Sequence, residues 1–253
     1  PLESAKNLSQ RLKNQIWLKR EDLQPVFSFK LRGAYNRMAQ LNKEELRKGV
    51  IASSAGNHAQ GVALSASFLK CRAVIVMPVT TPATKVKAVR GHKAEVILHG
   101  DTYDESYKEA IRIGKKEGLT FIHPFDDPEV IAGQGTIALE IFRQSEHLPD
   151  AIYVAVGGGG LISGIASYVK SLWPQVEVIG VEPKDAAAMT RSLEAGKRIR
   201  IDDLGLFADG VAVREVGEHT FSITKKHVDS MVTVSTDEIC AAIKDVFEDT
   251  RSI

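Results

Sequence analysis

Three short segments concentrate the residue types that could do chemistry. The first is Ser28-Phe29-Lys30-Leu31-Arg32-Gly33, with a lysine between two large apolar side chains. Ser28 in the N-cap position would place Lys30 in the first turn of a helix, where the backbone dipole repels a cation. Burial and that dipole both favour a neutral, nucleophilic amine. A lysine that extends its stem and keeps its charge in water fits the same letters. The second segment is Ser53-Ser54-Ala55-Gly56-Asn57-His58-Ala59-Gln60-Gly61, which offers hydroxyls, an amide and backbone N–H groups to a carboxylate or phenolic oxygen. A capped turn in which Asn57 and His58 serve only the backbone would need fewer polar groups. The third is Gly157-Gly158-Gly159-Gly160-Leu161, four glycines between a β-branched run and a helical pattern. Such a run brings backbone N–H groups close to an anion, and phosphate is the natural occupant. It is neither common nucleotide motif: Ile165 stands where a Walker lysine belongs, and Ser163 takes the last place of a GxGxxG frame begun at Gly158.

The elements that must position these segments alternate regularly. Strands are expected at Ile16–Lys19, Val50–Ala52, Ala73–Met77, Glu95–Leu98, Thr120–Ile122, Ile152–Val156, Val176–Val181 and Met231–Val234. Helices are expected at Phe29–Leu41, His58–Leu69, Tyr103–Glu117, Ile131–Ser145, Leu161–Leu172 and Thr236–Glu248. Several strands are nearly all apolar, as parallel strands buried on both faces are. The pattern is that of an open α/β fold, with ligand loops after the strand C-termini. Each of the three segments lies in a loop feeding a helix N-terminus, where free N–H groups bind anions.

Composition narrows the function classes. The 253 residues carry 33 basic and 32 acidic side chains, mixed along the chain, for a formal charge of +1. That balance points away from a nucleic-acid or membrane-surface binder. No apolar run reaches the roughly 18 residues of a membrane span, and no signal-peptide core opens the chain. Cys71 and Cys240, without a CxxC or a Cys/His cluster, read as reduced, buried thiols of a soluble intracellular protein. His92, His99, His123, His147, His219 and His227 show no metal-ligand spacing, and Lys85–Arg90 reads as a solvated helix face. Pro1 and Ile253 read as cut ends.

Taken together, the segments resemble the fold-type II pyridoxal-phosphate enzymes, and within them the threonine dehydratases. The resemblance runs through Lys19-Arg20-Glu21-Asp22, the Lys30 segment to Tyr35, the Ser54–Gly61 loop and Pro124-Phe125-Asp126. It continues through Ile131-Ala132-Gly133-Gln134-Gly135-Thr136, the glycine run and Phe207-Ala208-Asp209-Gly210-Val211-Ala212-Val213. It implies a tryptophan-synthase-β-like architecture of two open twisted α/β domains with the cofactor between them. The smaller domain would be 36–132; the larger, 1–35 with 133–253, would lack its C-terminal part. It implies pyridoxal 5'-phosphate as cofactor and Lys30 as its Schiff-base lysine and catalytic base. Asn57 would bond the phenolic oxygen, Phe29 would pack on the ring, and Gly157, Gly158, Gly159 and Gly160 with Leu161 would cradle the phosphate. Ser53, Ser54, Ala55, Gly56, Asn57 and His58 would hold the substrate carboxylate.

The implied reaction is β-elimination of L-threonine to 2-oxobutanoate and ammonia, the entry step of isoleucine biosynthesis, with L-serine giving pyruvate. The partner is a small amino acid, and the family assembles as homodimers or tetramers. A bacterial cytoplasm or a plastid stroma would suit it. Two departures stand out. Related racemases place a serine where Ala55 stands, which favours elimination here. They also hold a divalent cation through an acidic residue at the Glu182 position and an aspartate six residues on, where Ala188 stands, so no metal is expected. Family members also continue beyond the point equivalent to Ile253 into a segment that contacts the pyridine nitrogen, and some add a regulatory domain. The alternatives are a serine dehydratase, racemase or β-replacement enzyme of the same fold, an inactive truncated fragment, and a non-catalytic binding protein. The last would be expected to have lost Lys30 or the glycines.

Overall fold

The computed structural model describes residues 1–252. In chain order the strands are β1 (Leu2–Ser4), β2 (Trp17–Lys19), β3 (Val50–Ser53), β4 (Ala73–Met77), β5 (Glu95–Leu98), β6 (Thr120–Phe121), β7 (Ala151–Ala155), β8 (Glu177–Pro183) and β9 (Ser230–Val234). The α-helices are α1 (Lys6–Leu12), α2 (Lys30–Ala39), α3 (Lys43–Lys48), α4 (Asn57–Leu69), α5 (Ala83–Gly91), α6 (Tyr103–Glu117), α7 (Pro128–Gln144), α8 (Gly160–Leu172), α9 (Ala188–Ala195), α10 (Glu218–His227) and α11 (Thr236–Thr250). The chain divides into two compact units, one of Asp22–Gln134 and one of Pro1–Glu21 with the residues from Gly135 onward. No helix among the described residues is long and apolar enough to cross a membrane.

In the unit Asp22–Gln134 a parallel sheet runs in the order β5-β4-β3-β6. Val50-Ile51-Ala52 and Ala73-Val74-Ile75-Val76-Met77 have no polar side chain to turn outward, so they form the central strands and are fully buried. One face of the sheet packs Met38, Val62, Ala63, Val86 and Val89 from α2, α4 and α5. On the other lie Ala110 and Ile113 of α6. The chain steps from β3 to β4 to β5 in one direction, then returns to place β6 on the far side of β3. That reversal makes a switch point, where the loops after β3 and β6 part and leave a crevice at the strand C-termini.

Small residues bring the helices beside that crevice into backbone contact. A Cβ on Gly133 of α7 would lie 2.6 Å from the Arg32 carbonyl oxygen and from Gly33 Cα. A Cβ on Gly61 of α4 would come within 3.1 Å of the Leu31 nitrogen and 3.2 Å of the Lys30 carbonyl. Both obstacles are backbone, which cannot swing aside. Gly133→Ala is therefore expected to destabilise this unit by about 3 kcal/mol, seen as a lower urea midpoint with unchanged slope.

The other unit holds a parallel three-stranded sheet, β7-β8-β9, and an antiparallel pair, β1-β2. Asp229 fixes the β8–β9 junction by accepting from the Val178 N–H at 2.7 Å while pairing with Lys170 at 2.7 Å. The strand β7 passes through Val156 into the glycine run, which opens α8.

Candidate active site

Lys30 is the first residue of α2. Phe29, not Ser28, occupies the cap position, with helical dihedrals (φ −63°, ψ −17°). Ser28 still serves the helix start, because its Oγ accepts the Lys30 N–H at 3.3 Å. This corrects the expected cap by one residue and leaves Lys30 at the head of the helix. Its Nζ donates to the Pro124 carbonyl at 2.9 Å and lies 5.4 Å from the centre of the Phe29 ring. The side chain is half-buried by exposed area, yet the protein packed around it pushes the amine down to about 8 through loss of hydration. Between the two fates the sequence left open, this geometry is that of an enclosed amine.

The Ser53–His58 loop sits at the end of β3. Ser53 closes the strand, fully buried, and its hydroxyl pairs with Ser106 of α6 at 3.0 Å. That bond commits its side chain to the sheet–helix junction. Ser54 Oγ accepts the Gly56 N–H at 3.1 Å and so shapes the turn through half-buried Ala55. Asn57 is exposed as the first residue of α4, with Gly56 at the cap position and no side chain capping the helix. The first amides of α4 thus keep donors for an anion. His58, one residue on, is buried; its Nε2 donates to the Ile122 carbonyl at 2.9 Å, and its Nδ1 has no partner among the described residues. Burial first, and the charge of nearby Lys30 second, push this imidazole down to about 3. His58 is neutral at any ordinary pH.

One neighbour of Lys30 was not singled out by sequence. His123, placed with the ordinary histidines, lies in the turn after β6. Its Nδ1 accepts the N–H groups of Phe125 at 3.2 Å and Asp126 at 2.8 Å, which puts the ring proton on Nε2. Burial lowers it to about 4 although Asp126 and Asp127 pull the other way. The signal available was the His-Pro-Phe-Asp string directly after a short apolar strand.

The glycine run belongs to the second unit. Gly158, Gly159 and Gly160 are buried, and Gly160 begins α8. Gly159 adopts φ +92°, which a side chain strains, and a Cβ there would lie 2.9 Å from that of Thr220. A Cβ on Gly157 would meet the Val211 backbone at 2.9 Å. Thr220 Oγ1 donates to the Gly158 carbonyl at 2.7 Å, which fixes that peptide plane and with it the direction of the Gly159 N–H. Leu161, half-buried, adds its amide to the first turn of α8. The run therefore fits a phosphate bound by backbone N–H groups, with no lysine required.

Glu182, also in this unit, is fully buried and accepts from Met189 N at 2.9 Å, Thr190 N at 2.8 Å and Thr190 Oγ1 at 2.7 Å. Its oxygens are taken up by the start of α9. Among the described residues no group of three or more His, Cys, Asp or Glu side chains could hold a metal ion.

Comparison with known proteins assigns the chain to one family. The family description "Pyridoxal-phosphate dependent enzyme" fits residues 1–253. The chain is 61% identical over 253 residues to the biosynthetic, chloroplastic threonine dehydratase of Arabidopsis thaliana, covering all of this chain and 43% of that protein. It is 58% identical to the biosynthetic L-threonine dehydratase IlvA of Burkholderia multivorans, covering all of this chain and 50% of that one. The chain thus spans about half the length of the curated relatives it matches. The processed form of threonine deaminase isoform 2 from Solanum lycopersicum superposes with a TM-score of 0.98 at 54% identity, over all of this chain and 74% of that one. Serine racemase from Dictyostelium discoideum superposes at 0.93 with 36% identity, over all of this chain and 81% of that one. On this evidence the chain belongs to the pyridoxal-phosphate dependent enzymes, in the fold-type II class.

Proposed function

We propose that this chain carries the reaction centre of a threonine ammonia-lyase, converting L-threonine to 2-oxobutanoate and ammonia and, as a side activity, L-serine to pyruvate. The observation that carries the reading is the enclosed Lys30 amine, lowered to about 8 at the head of α2. The threonine dehydratase and deaminase names of the relatives support the choice of substrate.

Lys30 is the residue that would hold the cofactor through its aldehyde carbon, and its amine is the group placed to take the Cα proton of the substrate. Bound pyridoxal phosphate supplies an electron-withdrawing ring that spreads the charge left at Cα. Asn57 would bond the phenolic oxygen and Phe29 would lie against the ring. Gly157, Gly158, Gly159 and Gly160 with Leu161 hold the phosphate on backbone N–H groups. The loop from Ser54 to His58 orients the substrate carboxylate, chiefly through the amides that open α4. As the Cβ–O bond breaks, the proton taken from Cα goes to the leaving hydroxyl, which departs as water, and addition of water to the resulting enamine gives the keto acid and ammonia. A pocket shaped for threonine gains only about 1–3 kcal/mol from the extra methyl, so serine also reacts. Ala55 has no proton to return to Cα, which favours elimination over racemisation.

A homodimer or tetramer in a bacterial cytoplasm or plastid stroma completes the proposal; bacterial and chloroplastic names among the relatives support the setting. The test is to add pyridoxal phosphate and L-threonine to the purified chain and measure 2-oxobutanoate. A visible cofactor band without keto acid would remove the activity from this chain, and D-amino acid as the product would favour a racemase. Gly159→Ala is expected to weaken cofactor binding by about tenfold or more, or about 1.4 kcal/mol, because of its positive φ. Titration with pyridoxal phosphate reads this directly, and an unchanged Kd takes the phosphate role from the glycine run.

A further inference from the structure

The turn that follows β6 presents two backbone carbonyls in quick succession to the groups around Lys30. Ile122 accepts from His58 Nε2 at 2.9 Å, and Pro124 accepts from Lys30 Nζ at 2.9 Å. Between them stands His123. Its side chain turns back on its own backbone, with Nδ1 taking the amides of Phe125 and Asp126 at 3.2 and 2.8 Å. The rings of Phe121 and Phe125 meet the imidazole edge to face, 6.2 and 4.8 Å away between centres. A local turn cap needs only one such bond. Here two bonds and two aromatic walls fix the one peptide whose carbonyl reaches the lysine.

We propose that His123 is a positioning residue: by accepting the Phe125 and Asp126 amides it sets the turn from which the Pro124 carbonyl holds the Lys30 amine in place. The proposal rests on the reading of Lys30 as the cofactor-linking residue. His123 itself touches no reacting atom and acts through the backbone. The titratable groups that feel the charge of the amine are His58 from α4 and His123 from the turn; Asp126 and Asp127 act on His123, and Asp127 also pairs with Arg37 of α2 at 3.0 Å. Loosening the turn exchanges the carbonyl for water and lets the amine wander from its contact beside Phe29.

The experiment compares the cofactor-free protein with His123→Ala and His123→Asn. Asn carries an oxygen where Nδ1 stands, so it can accept the same two amides. Two readouts are taken. One is the rate at which pyridoxal phosphate is trapped on Lys30 by borohydride, located by peptide mass. The other is the Lys30 pKa, read by NMR after reductive ¹³C-methylation. His123→Ala is expected to slow trapping by about tenfold to a hundredfold and to raise the Lys30 pKa by about one unit toward the ordinary lysine value. His123→Asn should return both to within about threefold and a few tenths of a unit of the parent. Equal behaviour of the parent and His123→Ala overturns the proposal, and so does an asparagine variant as impaired as the alanine one. If His123→Ala does not fold, His123→Gln replaces it, since its amide oxygen lies one bond too far out; the proposal then requires asparagine to exceed glutamine. Trapping of the parent at another lysine would sink the Lys30 assignment, while the Lys30 pKa in the three proteins would still decide the role of His123.

Discussion

Lys30→Ala should cut the deamination of L-threonine by about 10³- to 10⁴-fold while leaving the fold intact. On the proposed reading two roles end with one amine: the link to the cofactor aldehyde and the base for the Cα proton. The effect is large because the protein holds this amine in a state that an exposed lysine lacks. At pH 8 a group that titrates near 8 is half unprotonated, whereas an ordinary lysine is so to well under 1%, a difference of about a hundredfold. Removing the side chain relieves a burial cost and forfeits one hydrogen bond to Pro124, worth about 1 kcal/mol net. The urea midpoint should therefore barely move. Lys30→Arg should be as inactive as the alanine variant, because a guanidinium does not deprotonate in a protein. Measuring kcat/KM for both variants beside their urea midpoints separates chemistry from folding. Turnover by Lys30→Ala within tenfold of the parent would refute the assignment.

Much of the fold could be read from the chain because its central strands are uninterrupted apolar runs. Val50–Ala52 and Ala73–Met77 were visible as such, and the structure extends the first only to Ser53. Two of the helices that sequence missed, α1 and α10, bury no apolar side chain. α1 buries none of its residues, and α10 buries only Thr220 and Thr224, so neither has a helical hydrophobic period. The start of α7 was legible but overlooked. Asp127 Oδ1 accepts from Glu129 N at 2.8 Å and Val130 N at 3.2 Å, with Pro128 beginning the helix three residues before the expected Ile131. Asp-Pro-Glu is a helix N-terminus in plain letters.

The segments of the candidate site stood out in the sequence as well. Lys30, the loop ending in Asn57-His58 and the glycine run declared themselves by residue type and by their places before helices. Their surroundings did not. That Ser53 is committed to Ser106, and that the turn holding His123 reaches Lys30, depends on contacts spanning 53 and 94 positions of the chain. Burial of that kind comes from the return of β6 across the sheet, which local periodicity does not encode.

That return has a large consequence for stability in acid. His58 and His123 are pushed down to about 3 and about 4 by burial, while in the unfolded chain each titrates near ~6.5. Between those values the unfolded state binds protons that the folded state refuses. Stability is therefore full above about pH 7 and falls as the pH drops toward 4. Each histidine contributes up to about 1.4 kcal/mol per pH unit, so the pair should cost about 2–3 kcal/mol between pH 6 and pH 5. The pair costs about 4 kcal/mol in all by pH 5 and about 6 by pH 4, which brings a protein at the low end of the usual ~5–15 kcal/mol to unfolding near pH 4–5. Lys30 has the same sign in the cofactor-free protein, with a window between its ordinary value and about 8. Glu182, whose carboxyl burial raises, works in the opposite direction at low pH. Urea midpoints at pH 7, 6 and 5 for the parent and for His58→Gln/His123→Asn isolate the histidines. The double variant, less stable at pH 7 through lost packing, should lose most of the slope between pH 6 and pH 5. An undiminished slope in that variant would mean that neither imidazole is held neutral, and with it the close packing around Lys30 on which its low pKa depends would have to be given up.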